Sequence, residues 1–320
     1  GLQEVSTLLA KAGLGISQAV GTGGRDLSKP VGGLTFFAAL DALQSDLETR
    51  LIVLISKPPD EDIVQQLFAR IQNSQKPIVL CLLGAEAPAA ADVNVYFTRT
   101  LEECALTAQA VHTASTLDIS GWIQSRDKEL FEKYAPLKQG LAPSQQYIRA
   151  LFSGGTLCYE AQVIWEDMLA DPVYSNAPLR KDCLLPDSAL SQGHTALDLG
   201  EEEFTIGRPH PMIDNELRIQ RMIQEVNDPQ TAVILLDVVL GYGAHPDPAR
   251  ELSRAIKSIR IDYPHILWIA AIIGTQDDPQ SLFQSSEALQ KAGVILCDSN
   301  AQAARLAAYL VENRPEKGAS

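Results

Sequence analysis

The chain has 320 residues, long enough for two domains, and 46% of them are apolar, so a large core can be buried. Its 40 acidic and 26 basic side chains leave a net charge of −14, which excludes the basic footprint that nucleic acid or an anionic membrane requires. No stretch approaches the ~18–20 uninterrupted apolar residues of a membrane span.

The chain starts at Gly1 with no secretory signal pattern, and we expect it to begin inside a longer or processed protein. Its five cysteines are scattered, without CxxC or His/Cys spacing. They predict a reducing cytoplasm and no metal site. LQEVSTLLAKAG (2–13) has helical spacing and ends at Gly13, and ISQAVG (16–21) is expected as a strand. The loop TGGRDLSKPVGG (22–33) leads to a helix from Leu34 to about Leu47. RLIVLIS (50–56) and PIVLCLLG (77–84) are continuous apolar runs, as in strands buried on both faces of a parallel sheet, with a helix Asp60–Ile71 between them. VNVYFT (93–98) and the helical LEECALTAQAVH (101–112) follow.

Residues 116–146 are polar and expected as a connector, with at most a short helix at RDKELFEKY (126–134). The alternation then restarts with the strand YIRALF (147–152) and an amphipathic helix after it. The segment 170–195, with Pro172, Pro178 and Pro186, is expected as an excursion, and 195–214 carries short strand-like pieces. A helix (214–226), strand AVILLDVVLG (232–241), helix (248–259), strand ILWIAAIIG (266–274), helix (280–291), strand GVILCD (293–298) and helix (301–311) finish the chain. This alternation predicts an α/β protein with two flavodoxin-like, doubly wound parallel-sheet domains, over 1–115 and 147–313, and a frayed tail over 314–320. In such sheets ligands bind beyond the carboxyl ends of the strands.

Three of those ends carry chemistry. SGGTLCYEA (153–161) breaks a strand at Gly154 and Gly155 and opens a helix. The hydroxyls of Ser153 and Thr156 are expected to cap its first turn, whose amides and positive dipole end make an anion site. In GTGGRDLSKPVGG (21–33), Gly23 and Gly24 let backbone amides approach an anion, and Arg25 can pair with a carboxylate or phosphate. GRPHPMID (207–214) clamps His210 between prolines beside Arg208, which suits anion binding and acid or base work. In LLDVVLGYGAHPDPA (235–249), Asp237 stands inside an apolar strand, expensive unless it is hydrogen-bonded or paired, and Gly241, Gly243 and His245 lie past its end. His245 is a weaker candidate than His210. P-loop, GxSxG, HExxH and GxGxxG patterns are absent.

With these motifs the chain resembles the succinyl-CoA synthetase superfamily. SGGTLCYEA is similar to its SGTLTYEA-type phosphate turn, and VGTGGRDLSKPVGG resembles the VGIGGDPF loop of the synthetase alpha subunit. The half from ALDLG (196–200) onward resembles the carboxyl-terminal domain of the beta subunit. The combination of GTGGRDLS, LISKPP, SGGTL, GRPHPMID and LLDVVLGYGA most resembles the FdrA family within that superfamily. The resemblance implies two flavodoxin-like ligase-CoA domains, normally preceded by a Rossmann-like domain that this sequence does not contain and that would bring any coenzyme A.

One departure matters. The synthetases carry their phosphohistidine in a GHAGA-type loop, where this chain has GAEAPAAADVN (84–94) without a histidine. The resemblance therefore implies a subunit of a carbamoyl- or acyl-transferring enzyme, of the oxamate carbamoyltransferase type in purine and allantoin catabolism. Its substrates would be anionic (carbamoyl phosphate, oxamate or an acyl-CoA), and other protein subunits its partners. Alternatives are an acyl-CoA synthetase using coenzyme A, and a non-catalytic scaffold subunit. Under the first, His210 is the catalytic acid or base. Gly23, Gly24, Arg25, Ser153, Gly154, Gly155, Thr156, Arg208, Gly241 and Gly243 then bind the anionic substrate.

Overall fold

A computed structural model describes residues 1–72, 74–85 and 94–312. Most of the histidine-free loop and the 314–320 tail lie outside the described residues. The chain divides into two compact units, Gly1–Trp122 and Ile123–Ser320. Among the described residues no helix is long and apolar enough to cross a membrane, and all five cysteines are buried and unbridged.

In the first unit, α1 (Leu2–Lys11), α2 (Leu34–Ser45), α3 (Glu61–Ile71) and α4 (Leu101–His112) surround β1 (Ile52–Ser56), β2 (Ile78–Leu82) and β3 (Val95–Thr98). The strands are parallel and pair in chain order, Ile52 opposite Ile78 and Ile78 opposite Val95. One face of the sheet buries Ile52, Leu54, Ile78 and Leu80 under Phe36, Phe37 and Leu40 of α2 and Ile63, Leu67 and Ile71 of α3. A capping box fixes the start of α4, with Thr100 and Glu103 each bonding the other's backbone amide. The expected strand at 16–21 does not form. Ile16 and Val20 stay exposed with the polar Gln18 between them, too little apolar surface to hold a strand in a buried ladder. The unit is thus parallel α/β, but among the described residues its strand order has no reversal.

The polar stretch expected as a connector is mostly one helix of 22 residues, α5 (Ile119–Gly140). It is held from outside rather than by its own pattern. Phe131 stacks on Tyr309 at 4.3 Å, and Arg305 pairs with Asp127, both partners lying on the terminal helix α11 (Asn300–Val311). Tertiary docking here overrides a weak local signal.

The second unit holds β4 (Tyr147–Phe152), α6 (Gly155–Met168), β5 (Val173–Ser175), β6 (His194–Asp198), α7 (Glu202–Thr205) and α8 (Glu216–Val226). It continues with β7 (Thr231–Val239), α9 (Pro248–Asp262), β8 (Leu267–Ile273), α10 (Leu282–Lys291), β9 (Val294–Cys297) and α11. The all-parallel sheet runs β5-β6-β4-β7-β8-β9. Without the short edge strand β5, the order is that of a flavodoxin-like doubly wound sheet. The strand-like pieces expected over 195–214 reduce to β6 and the short α7.

One face of this sheet packs on α8, α9 and α10 through Met222, Leu252, Ile256 and Leu289. α6 and α11 pack on each other and on the central strands, and the Trp165 indole donates to the Ala304 carbonyl at 2.8 Å. Strand order reverses at β4, whose neighbours are β6 and β7. That switch point positions the site.

Candidate functional site

β4 ends at Phe152, and Ser153 and Gly154 carry the chain into α6. Gly154 stands at the N-cap and no side chain caps the helix, contrary to the expectation for Ser153 and Thr156. The donors are used otherwise. Asp237, fully buried on β7, accepts from the Ser153 amide at 2.8 Å, the Ser153 hydroxyl at 2.7 Å and the Gly154 amide at 3.0 Å. The anion at this turn is a carboxylate of the chain itself.

A buried cation balances it. Arg218 of α8 donates to the Asp237 carboxylate at 3.3 Å, to the Asp237 carbonyl, and to the Pro211 carbonyl at 3.3 Å. Burial pushes the Arg218 guanidinium pKa down while Asp237 opposes the shift, and an arginine stays charged under both. One side chain thereby ties β7 to the proline next to His210.

On the other side of β4, Asp198 ends β6. Its Oδ1 accepts from the Gly200 amide at 3.0 Å, and Asn176 bonds its backbone amide and carbonyl at 2.9 and 3.0 Å. Two glycines make room for this carboxylate. A Cβ on Gly155 would lie 2.1 Å from Asp198 Oδ2. A Cβ on Gly200 would meet His210 Nε2 at 2.8 Å, the Ser153 carbonyl at 3.1 Å and Asp198 Oδ1 at 3.2 Å.

His210 is half-buried there. Its Nδ1 accepts from the Met212 amide at 3.2 Å, so the neutral ring carries its hydrogen on Nε2. Burial lowers its pKa below the ordinary imidazole value, with Asp237 pulling it up and Arg218 down. At neutral pH the ring is a hydrogen-bond donor through Nε2 and has no lone pair there for a base or nucleophile.

Neighbouring loops are laced to this segment. The His245 amide donates to the Met212 carbonyl at 2.7 Å. Gln280 accepts from the Gly241 amide at 3.0 Å and donates to its carbonyl at 2.7 Å. His245 itself accepts from the Asp247 amide at 2.9 Å and faces Glu251 at 3.3 Å, which commits both ring nitrogens.

Of the residues predicted from sequence, Ser153, Gly154, Gly155 and His210 therefore gather around Asp198, Asp237 and Arg218. Thr156 lies in the first turn of α6, Gly241 and Gly243 lie in the laced loop, and Arg208 is exposed two residues before His210. Gly23, Gly24 and Arg25 belong to the first unit. Their loop is organised by Asp26, whose carboxylate accepts from the amides of Thr35 at 3.2 Å and Phe36 at 2.8 Å and so caps α2.

Residues 151–310 match the CoA-ligase family. The chain belongs to that family. It is 38% identical over 315 residues to the uncharacterized protein YahF of Escherichia coli (strain K12), covering 96% of this chain and 59% of YahF. The CoA-ligase chain thus spans about three fifths of the length of that curated relative. Among solved structures, it is similar to the dinucleotide-forming acetyl-coenzyme A synthetase 1 of Ca. Korarchaeum cryptofilum, in its apo form. That match is 11% identical, covers 85% of this chain and 55% of the other, and has a TM-score of 0.37. PH0766 from Pyrococcus horikoshii OT3 is 14% identical, with 88% of this chain and 55% of the other covered and a TM-score of 0.33.

The sequence motifs passed over two members of this cluster, Asp198 and Arg218. Asp237 held the missing signal. A carboxylate inside a nine-residue run buried at every position calls for hydrogen bonds or a cation, and α8 leads directly into that strand.

Proposed function

We propose that this CoA-ligase family chain is an FdrA-type subunit of a carbamoyl-transferring enzyme, acting in the cytoplasm with other protein subunits. The observation behind this is the half-buried His210, whose Nε2–H is held as a donor near the Asp198 carboxylate. A carbamoyl group presents one carbonyl oxygen to accept and an NH₂ to donate, so it matches both. A plain alkyl acyl group offers Asp198 nothing. Arg208, exposed on the same segment, supplies the cation for a phosphate or for the carboxylate of oxamate.

In phosphorolysis of oxalurate, a phosphate oxygen bonds to the ureido carbonyl carbon and the bond to the oxamate nitrogen breaks. The proton of hydrogen phosphate ends on that nitrogen, giving carbamoyl phosphate and oxamate. His210 therefore need not surrender its proton. It donates a hydrogen bond to the carbonyl oxygen as charge builds there, which fits an imidazole held neutral. Asp237 and Arg218 keep the turn and the His210 segment in place.

The test is oxalurate phosphorolysis by the chain alone and with candidate partner subunits. His210→Leu is expected to lower turnover by about 10²–10³-fold, as for loss of one oxyanion donor. Arg208→Ala should raise the KM for phosphate or for oxalurate. Turnover that survives both changes would falsify this site. The runner-up is an acyl-CoA synthetase using coenzyme A, favoured by the CoA-ligase match over 151–310. It predicts thermal stabilisation by coenzyme A and none by phosphate with oxamate.

A further inference from the structure

Among the described residues the His210 ring makes one hydrogen bond, at Nδ1, from the Met212 amide at 3.2 Å. That amide belongs to the same peptide unit as the Pro211 carbonyl. The carbonyl in turn accepts from Arg218 Nη2 at 3.3 Å. The two bonds therefore sit at opposite ends of one peptide dipole. A cationic donor on the carbonyl oxygen draws electron density toward it and makes the N–H at the other end a stronger donor, as in any hydrogen-bond chain.

The guanidinium is anchored through its other nitrogen. Nη1 donates to the Asp237 carbonyl and, at 3.3 Å, to the Asp237 carboxylate. Both residues are buried, and the planar fork keeps its two nitrogens in a fixed relation. Asp237 thus places Arg218, Arg218 places the 211–212 peptide, and that peptide's amide occupies the Nδ1 lone pair. In a neutral imidazole the hydrogen bond made by one nitrogen decides which nitrogen carries the hydrogen. The Met212 carbonyl, on the following peptide, is held separately by the His245 amide at 2.7 Å.

We propose that Arg218 is a positioning residue that sets the tautomer of His210 through the Pro211–Met212 peptide. The second nitrogen of its fork does this, apart from any effect of its charge on the ring's titration. The proposal deepens, and rests on, the reading of His210 as a donor to a carbonyl oxygen, because a neutral imidazole can act so at Nε2 only when its hydrogen is there.

The measurement is nitrogen-15 NMR of the full chain at pH 8, where the ring is neutral, with no substrate added. The Met212 amide nitrogen and His210 Nδ1 should show a coupling across their hydrogen bond, and the ring should be the Nε2–H tautomer. Arg218→Lys keeps a cation beside Asp237 but has a single nitrogen, which cannot reproduce the fork between Asp237 and Pro211. It should lose the coupling and move the tautomer ratio about fivefold toward Nδ1–H, the worth of one hydrogen bond. The Ser153 and Gly154 amide signals should stay near their parent positions, since their bonds to Asp237 persist, and a general loosening of the fold would move them as well. Arg218→Met with Asp237→Asn, which leaves no buried charge unpaired, should change the ring in the same way and serves if the lysine variant does not fold. A coupling and ratio unchanged in either folded variant overturns the proposal, as does a parent ring found mainly as Nδ1–H. Absence of oxalurate phosphorolysis with these signatures intact counts against the carbamoyl reading alone.

Discussion

Two glycine-rich turns lead into helices in this molecule, and both receive a carboxylate on backbone amides, those of the first helical turn in one and those just before the helix in the other. In the first unit the carboxylate is Asp26, which belongs to the loop itself and lies 9 and 10 residues before the amides it caps. In the second it is Asp237, which reaches the turn from β7 across 84 residues of sequence. A local carboxylate closes a loop and commits nothing else. A distant one draws in everything needed to keep it buried: Arg218 on α8, Pro211 through Arg218, and with them the segment that carries His210. The second turn is therefore tied to the His210 segment, whereas the first is a cap.

Charge removal should separate the two turns most. Arg218→Met strands the fully buried Asp237 and should cost about 3–5 kcal/mol in urea unfolding of the second unit. Replacing both, Arg218→Met with Asp237→Asn, should recover part of that loss, since the neutral amide needs no cation while its oxygen still accepts from the Ser153 turn. Arg25→Ala, the matching change in the surface of the first turn, should stay within about 0.5 kcal/mol. If Arg218→Met were equally mild, the distant carboxylate would not be the organising element.

Next in size come the glycines. Gly155→Ala places a methyl 2.1 Å from Asp198 Oδ2, and displacing that carboxylate should cost about 1–3 kcal/mol. Gly24→Ala meets nothing within 4 Å and should be close to silent. Thermal melts of the two variants read the contrast directly. Asp26→Ala is intermediate: losing a helix cap should cost about 0.5–2 kcal/mol, confined to the first unit, and Asp26→Ser should restore part of it. An Asp26 effect as large as that of Arg218 would make the two turns equivalent.

The parts legible from sequence were those with a local cause. Largely apolar runs marked β1, β2, β4, β7 and β8, and in all but β1 nearly every position is buried, so the strand needs no polar side. Ser153, Gly154 and Asp237 stood out for the same local reasons, a strand broken by glycine and a charge inside an apolar strand. α5 was illegible because what holds it, Tyr309 and Arg305, lies 178 residues from its partners Phe131 and Asp127. Arg218 was hidden by its company. Arg218, Arg221 and Glu225 recur at helical spacing as a charged stripe, yet all three are buried. Periodicity reports which residues share a face, and only the fold decides whether that face meets water.

The smallest expected effect belongs to His210, and it tests whether the second turn is a site or only a well-tied corner. Its pKa is lowered in the folded protein, chiefly by burial, so the unfolded chain binds a proton more readily than the native one. Its contribution is therefore complete above the ordinary imidazole value of about 6.5 and declines as pH falls through that value toward the lower folded one. A His210→Gln variant should lose this part of the acid-side slope in stability while matching the parent at pH 8. The imidazole pKa followed by NMR in Arg218→Met should rise, since a nearby positive charge is gone and Asp237 is left to favour the imidazolium. No titration shift there would mean that Arg218 and His210 share a corner of the fold without sharing a field, and the cluster would then lose its claim to tune the donor at Nε2.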